Sequence, residues 1–190
     1  MTETHPLEPF LPPNAALLML GSFPPKRIRW SMDFYYPNLQ NDMWRIFGII
    51  FFHDKDHFLK LNEKSFDKER IIAFLKEKGI ALSDTASEVI RQKDNASDKH
   101  LDIVTPVDLD ALLHAMPHCR AIAVTGQKAL DTLLTLIRAE EPKVGDYTEF
   151  TWEGREMRLY RMPSSSRAYP KPIKEKAAVY AKMFHEVLMF

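Results

Sequence analysis

The chain has 190 residues, 45% hydrophobic and 27% charged, the balance of a soluble globular domain with a proper core. Its formal net charge of +0 differs from the basic excess common among nucleic-acid-binding domains, although only the local field at a site decides binding. One cysteine, Cys119, excludes a disulfide framework and a four-thiolate metal or iron–sulfur centre, and no apolar run approaches the roughly 20 residues that span a bilayer. The first residues have no positively charged region of the signal-peptide kind, so a reducing, cytoplasmic setting is the expectation.

Residues 1–14 carry four prolines and read as an arm lying on the surface. Ala15 to Leu20 is a continuous apolar run, as expected of a parallel strand buried on both faces. It feeds into Gly21-Ser22-Phe23-Pro24-Pro25, a loop at the carboxyl end of a strand, where open α/β sheets bind ligands. Lys26, Arg27 and Arg29 precede Trp30, Phe34, Tyr35 and Tyr36. Cations beside aromatic faces suit a flat ring on a phosphate chain, and a proline-stiffened loop whose aromatics fill a core fits equally well. Asn41 to Phe52 has helical spacing, with Asp42 favouring the helix dipole. His53 to Glu63 reads as a connector, and Asp67 to Lys78 as an amphipathic helix with Gly79 as its C-cap.

Ile80 to Leu82 is a short second strand that runs into Ser83-Asp84-Thr85. A polar loop over Arg91 to His100 precedes a short strand at Leu101 to Val104 and a helix at Asp108 to Met116. Ala121 to Thr125 is a third strand, leading through Gly126 into a helix over Gln127 to Arg138. Tyr147 to Trp152 and Glu156 to Tyr160 alternate as in a hairpin, whose second arm is also a candidate fourth strand of the main sheet. Pro172 to Leu188 is a final helix. Strands alternating with helices predict one α/β domain over 1–190, a three-layer α/β/α sandwich around a mostly parallel four-stranded sheet. Four strand ends, at Gly21, Ser83-Asp84, Thr125-Gly126 and Pro163-Ser164, then share one edge.

Several chemistries are poor fits. There is no G-x-S-x-G elbow for a nucleophilic serine and no H-E-x-x-H metal spacing, and G-S-F-P-P has too few glycines for a dinucleotide or P-loop. What remains is a pocket of amide, hydroxyl and aromatic groups. Hydroxyls and backbone N–H groups grip phosphates, and Lys26, Arg27, Arg29 and Arg167 neutralise them. That combination points to a nucleotide-handling site.

The motifs resemble those of the uracil-DNA glycosylase superfamily, most closely its hypoxanthine-DNA glycosylase and mismatch-specific branch. They are Gly21-Ser22-Phe23-Pro24, Tyr35-Tyr36 with Pro37, Asn41-Asp42-Met43-Trp44, Gly79 to Asp84, Asn95-Ala96-Ser97-Asp98, Thr125-Gly126, and Met162-Pro163-Ser164-Ser165-Ser166-Arg167-Ala168. The resemblance covers most of the chain. It implies a monofunctional DNA glycosylase of base-excision repair, which flips a deaminated base, hypoxanthine or uracil, into a pocket and cleaves its N-glycosidic bond with water. No metal, no cofactor and no membrane are implied, the partner is DNA with a damaged or mismatched base, and the protein is expected to be a monomer.

The resemblance also implies roles. Phe23 stands where uracil-specific relatives carry a water-positioning aspartate, and Met162 where they carry a histidine. Asn41 then positions the water, a role compatible with capping the helix that follows. Gly21, Ser22, Phe23 and Pro24 form the pocket floor. Phe34 or Tyr36 stacks on the base, unless both are core, and Asp84 reads the base edge, unless it caps a helix. Pro25, Ser97, Pro163, Ser164, Ser165 and Ser166 contact phosphate, with ordinary turns as the alternative. Arg167 fills the vacated stack or binds phosphate. Two other functions stay open on the sequence: a non-catalytic or altered-specificity nucleic-acid-binding member of the same fold, and a glycosidase for free nucleosides or nucleotides.

Overall fold

The computed structural model describes residues 1–62, 64–93 and 98–190. In chain order the elements are β1 (Thr2–Thr4), β2 (Leu17–Gly21), α1 (Met43–Phe52), β3 (Leu59–Lys60), β4 (Ser65–Phe66), α2 (Lys68–Lys78), β5 (Ile80–Asp84) and β6 (Ala86–Arg91). There follow β7 (Leu101–Pro106), α3 (Leu109–His114), β8 (Ala121–Thr125), α4 (Gln127–Leu133), β9 (Tyr147–Trp152), β10 (Arg155–Met162) and α5 (Ile173–Leu188).

The central sheet has the order β5-β2-β8-β10-β9. The first four strands are parallel, and β9 adds an antiparallel fifth through its hairpin with β10. The two readings of the second hairpin arm are thus both true of β10. The continuous apolar run of β2 has a simple cause. Leu17 and Met19 point into a core with α1, α2 and α5, while Leu18 and Leu20 point into a second core with α3 and α4. A strand covered on both faces has no polar face to alternate. On the first side Trp44 is fully buried, and its indole N–H donates to the Tyr35 carbonyl at 3.0 Å. Burying a ring that size stabilises by about 3 kcal/mol or somewhat less.

Local signals set the helix ends. Asp67 accepts the Arg70 N–H, Asp108 accepts the Ala111 N–H, and Gly79 closes α2 at φ 73°, a left-handed position that glycine tolerates. The fourth helix of the sequence reading, Gln127 to Arg138, is shorter as a regular helix, ending at Leu133.

Three features depart from expectation. The connector at His53 to Glu63 contributes β3, one strand of a small antiparallel hairpin with β4. Residues following Asp84 do not start a helix; they form β6, whose Ala86 and Val89 pack with Phe23 and Leu101. And the N-terminal arm is not merely laid on the surface. β1 pairs antiparallel with β6 in a second, three-stranded sheet, β1-β6-β7, and Phe10 bridges to Leu82 on the outer edge of β5. Among the described residues, no helix is long and apolar enough to cross a membrane.

Candidate active site

Strand register builds the site floor. Gly21 pairs with Asp84, Leu20 with Val124, and Thr125 with Met162, so the four carboxyl ends lie side by side. Over them opens a cavity of about 340 Å³, within the usual ligand-pocket range of about 300–1,000 Å³. Gly21 has no side chain for a steric reason. A Cβ there would lie 2.8 Å from Asp84 Oδ1 and 3.3 Å from the Tyr36 hydroxyl. The glycine lets both polar groups converge on the floor.

One wall is a pair of extended segments. The Asp42 N–H donates to the Ser165 carbonyl at 2.8 Å and the Arg167 N–H to the Gln40 carbonyl at 3.1 Å, so Asn41 bridges to Ser166. Asn41 Oδ1 accepts the Met43 N–H at 3.0 Å. It therefore helps to cap α1, while its second lone pair and its amide remain for the cavity that it lines. Arg45 secures the position by donating to the carbonyls of Leu39 and Asn41 and to Asp42 Oδ1. Arg167 Nε donates to the same Asp42 oxygen at 3.1 Å. Burial, and then the charge of Arg167, lowers the pKa of the Arg45 guanidinium, with Asp42 opposing. Lys176 supports the wall from behind. It is 1% exposed and donates from Nζ to the Ser166 carbonyl at 2.8 Å.

The two aromatic candidates part company. Tyr36 lines the cavity; Phe34 does not, and it packs in the core edge-on to Phe10 and Tyr35 and stacked near Trp44. The separation follows from the backbone: Tyr36 adopts φ 51°, a left-handed conformation costly for a bulky residue and kept only where the surroundings enforce it. Its hydroxyl lies 3.3 Å from Thr125 Oγ1. Burial, with the Asp84 charge adding to it, holds the Tyr36 phenol well above its ordinary pKa, so it keeps its proton.

Two carboxyl groups share the cavity. Asp84 Oδ2 lies 2.6 Å from His5 Nε2, an imidazole delivered by the N-terminal arm. Asp98 lines the cavity too; burial raises its pKa, the Ser22 hydroxyl opposes that, and the neighbouring Asp84 charge raises it further. Phe23 is 8% exposed and wedged between the cavity and the second sheet, edge-on to His5 at 5.2 Å. Met162 lies in the main core, so neither position presents a polar group.

Ser22, Pro24, Pro25 and Ser164 to Arg167 also line the cavity, as does Arg29. Ser164 and Ser166 hydroxyls accept the N–H groups of Ser166 and Ala168, respectively, which stiffens the loop. Pro163 is buried just below, with its carbonyl accepting the Tyr180 hydroxyl. Ser97 lies outside the described residues. The Trp30 indole donates to the Pro25 carbonyl, and the Arg27 guanidinium sits 4.5 Å above its ring. Among the described residues, no three His, Cys, Asp or Glu side chains gather as a metal site requires.

Sequence reasoning missed His5, Asp98 and Lys176. Lys176 had a signal: it falls on the stripe of Tyr180, Met183, Phe184 and Val187, where a lysine is out of place unless it has a partner. Asp98 had a weaker one, as the last residue of the serine-containing motif. His5 had none.

The layout, a mostly parallel sheet between two helical layers, is a uracil-DNA glycosylase-like fold, and amide, hydroxyl, aromatic and carboxyl groups gather over the carboxyl edge of the sheet. The chain is similar over its whole length to a candidate uracil DNA glycosylase from Methanosarcina acetivorans, solved by NMR in solution. The TM-score is 0.67 at 23% identity, with 100% of both chains covered, and at that identity the likeness establishes shared architecture. No protein-family model and no curated protein matches the chain.

Proposed function

We propose that this protein is a DNA glycosylase that hydrolyses the N-glycosidic bond of a flipped deaminated base, hypoxanthine or uracil, in base-excision repair. The observation that carries the reading is the convergence of Asn41, Tyr36 and Asp84 on one cavity at the carboxyl edge of the sheet. The base stacks on the Tyr36 ring, and Asp84 accepts a hydrogen bond from its edge. The free lone pair of Asn41 Oδ1 takes one hydrogen of a water and turns the water oxygen toward C1′. The C1′–N bond breaks with its electron pair going to the base, C1′ passes through an oxocarbenium-like state, and the water oxygen bonds to C1′ as its proton leaves. The released base then takes up a proton. Extrusion of a damaged base is cheaper than of a paired one, which adds to selectivity. Lys26, Arg27, Arg29 and Arg167 neutralise phosphates around the mouth, with Pro25 and the Ser164–Ser166 loop positioning the strand.

The test is base release from labelled oligonucleotides carrying uracil, hypoxanthine, xanthine or a mismatch. Release from a deaminated base, abolished by Asn41→Ala, is the expected result. No release from any member of the panel refutes the enzyme. A second reading draws on the apolar settings of Phe23 and Met162, which leave Asn41 without a carboxylate or imidazole at those two positions. It is a nucleic-acid-binding module of the same fold, and its signature is salt-dependent DNA binding without cleavage.

A further inference from the structure

His5 is half-buried against cavity residues yet absent from every motif that shaped the site. Its segment is fixed on both sides. Before it, β1 pairs with β6, Glu3 forms an ion pair with Arg91, and the His5 N–H donates to the Ser87 carbonyl. After it, the Glu8 carbonyl accepts the Tyr35 hydroxyl and Phe10 bridges to Leu82. The imidazole lies between Phe23 and Tyr35, at 5.2 and 6.0 Å between ring centroids. Nδ1 lies 3.1 Å from both the N–H and the carbonyl of Leu7, so it can accept from one or donate to the other, while Nε2 faces Asp84 Oδ2 at 2.6 Å, where a carboxylate calls for an N–H donor. Asp84 is thus held as a hydrogen-bond acceptor, 7% exposed, with Oδ1 left over beside Gly21 and the cavity.

A bare carboxylate in such a place has two defects. With no fixed donor its oxygens are free to turn away from the cavity, and its charge opposes a base that departs as an anion. A short N–H···O bond from His5 offsets both. Resting on the glycosylase reading, we infer that His5 is a positioning residue for base selection: it keeps Asp84 an acceptor, so that the cavity demands a ring N–H on the base, as hypoxanthine carries at N1 and uracil at N3. Adenine and cytosine present a bare ring nitrogen at those positions and meet Asp84 as acceptor against acceptor. Deamination converts one pattern into the other, so the pair would read the chemical mark of the damage itself.

The experiment compares wild type, His5→Ala and His5→Gln on oligonucleotides with hypoxanthine against 1-methylhypoxanthine, and uracil against 3-methyluracil. Single-turnover excision is measured, together with binding to 2′-fluoro versions of the same lesions, which resist cleavage. Wild type should favour the N–H base over its N-methyl partner. His5→Ala should compress that ratio by about 10- to 100-fold in excision and in binding, the scale of one hydrogen bond to a charged group. His5→Gln, whose amide N–H reaches the same oxygen, should restore most of it. A His5→Ala ratio equal to wild type, at any overall activity, overturns the inference, as does failure of glutamine to restore discrimination. The binding arm decides the matter if His5→Ala has lost activity. Failure of the glycosylase reading looks different: wild type itself then neither excises nor selectively binds any of the four lesions.

Discussion

Replacing Gly21 with alanine tests the floor of the cavity with one methyl group. The backbone there needs no left-handed angle, so the effect is steric. The new Cβ would stand 2.8 Å from Asp84 Oδ1, and ordinary contacts begin near 3.4 Å, so the carboxylate must retreat by about 0.6 Å. It has little room to do so, because its other oxygen is fixed 2.6 Å from His5 and the side chain is buried. Overpacking of this kind costs about 1–3 kcal/mol, and a protein of this size loses about 2–4 °C in Tm per kcal/mol. The chemical cost is greater, since an ångström-scale misplacement at a reacting site costs up to about 100-fold in rate. Gly21→Ala should therefore unfold cooperatively at a modestly lower Tm while excision of the preferred base falls about 10- to 100-fold. Calorimetry and single-turnover excision on one preparation separate the two effects. If His5→Ala frees Asp84 to move, the double variant should lose less stability than the two single losses added together. Wild-type excision by a folded Gly21→Ala protein would refute the idea that Asp84 and Gly21 form a working floor.

Asn41→Ala should lower excision at least about 100-fold and cost about 0.5–2 kcal/mol through loss of the Met43 cap; Asn41→Ser, which keeps a cap acceptor but falls short of the water, should recover the stability alone, as denaturant melts and kinetics will show. Arg167→Ala should weaken duplex binding and make the dependence of log K on log salt shallower by about 0.9, the value of one phosphate contact, readable by fluorescence anisotropy. Burial pushes the Cys119 thiol from 9.0 up to about 11. A raised acid binds its proton more tightly in the folded state, so the thiol's contribution is intact below pH 9 and is lost as pH rises toward 11. A rise of that size amounts to about 3 kcal/mol. Urea melts from pH 8 to 11 should fall less steeply for Cys119→Ala than for wild type; equal slopes would refute the assignment.

What the sequence by itself determined was local. The apolar run at Ala15 to Leu20 specifies a strand buried on both faces, Asp67 and Gly79 bracket a helix, and the polar residues at successive strand ends specify an edge crowded with hydrogen-bonding groups. Each of these follows from patterns a few residues long, where backbone geometry and side-chain period act directly. Only the tertiary structure decided which groups meet. Phe34 and Tyr36 are two residues apart and indistinguishable by type, yet a left-handed turn at Tyr36 sends one ring to the cavity and leaves the other in the core. Lys176 looks like a flaw in an apolar stripe until the loop carbonyl of Ser166 is brought against it. His5 and Asp84 are separated by 79 residues. No local rule links them; the contact exists because the arm pairs with a strand, β6, whose own place depends on the packing of Phe23 beneath it.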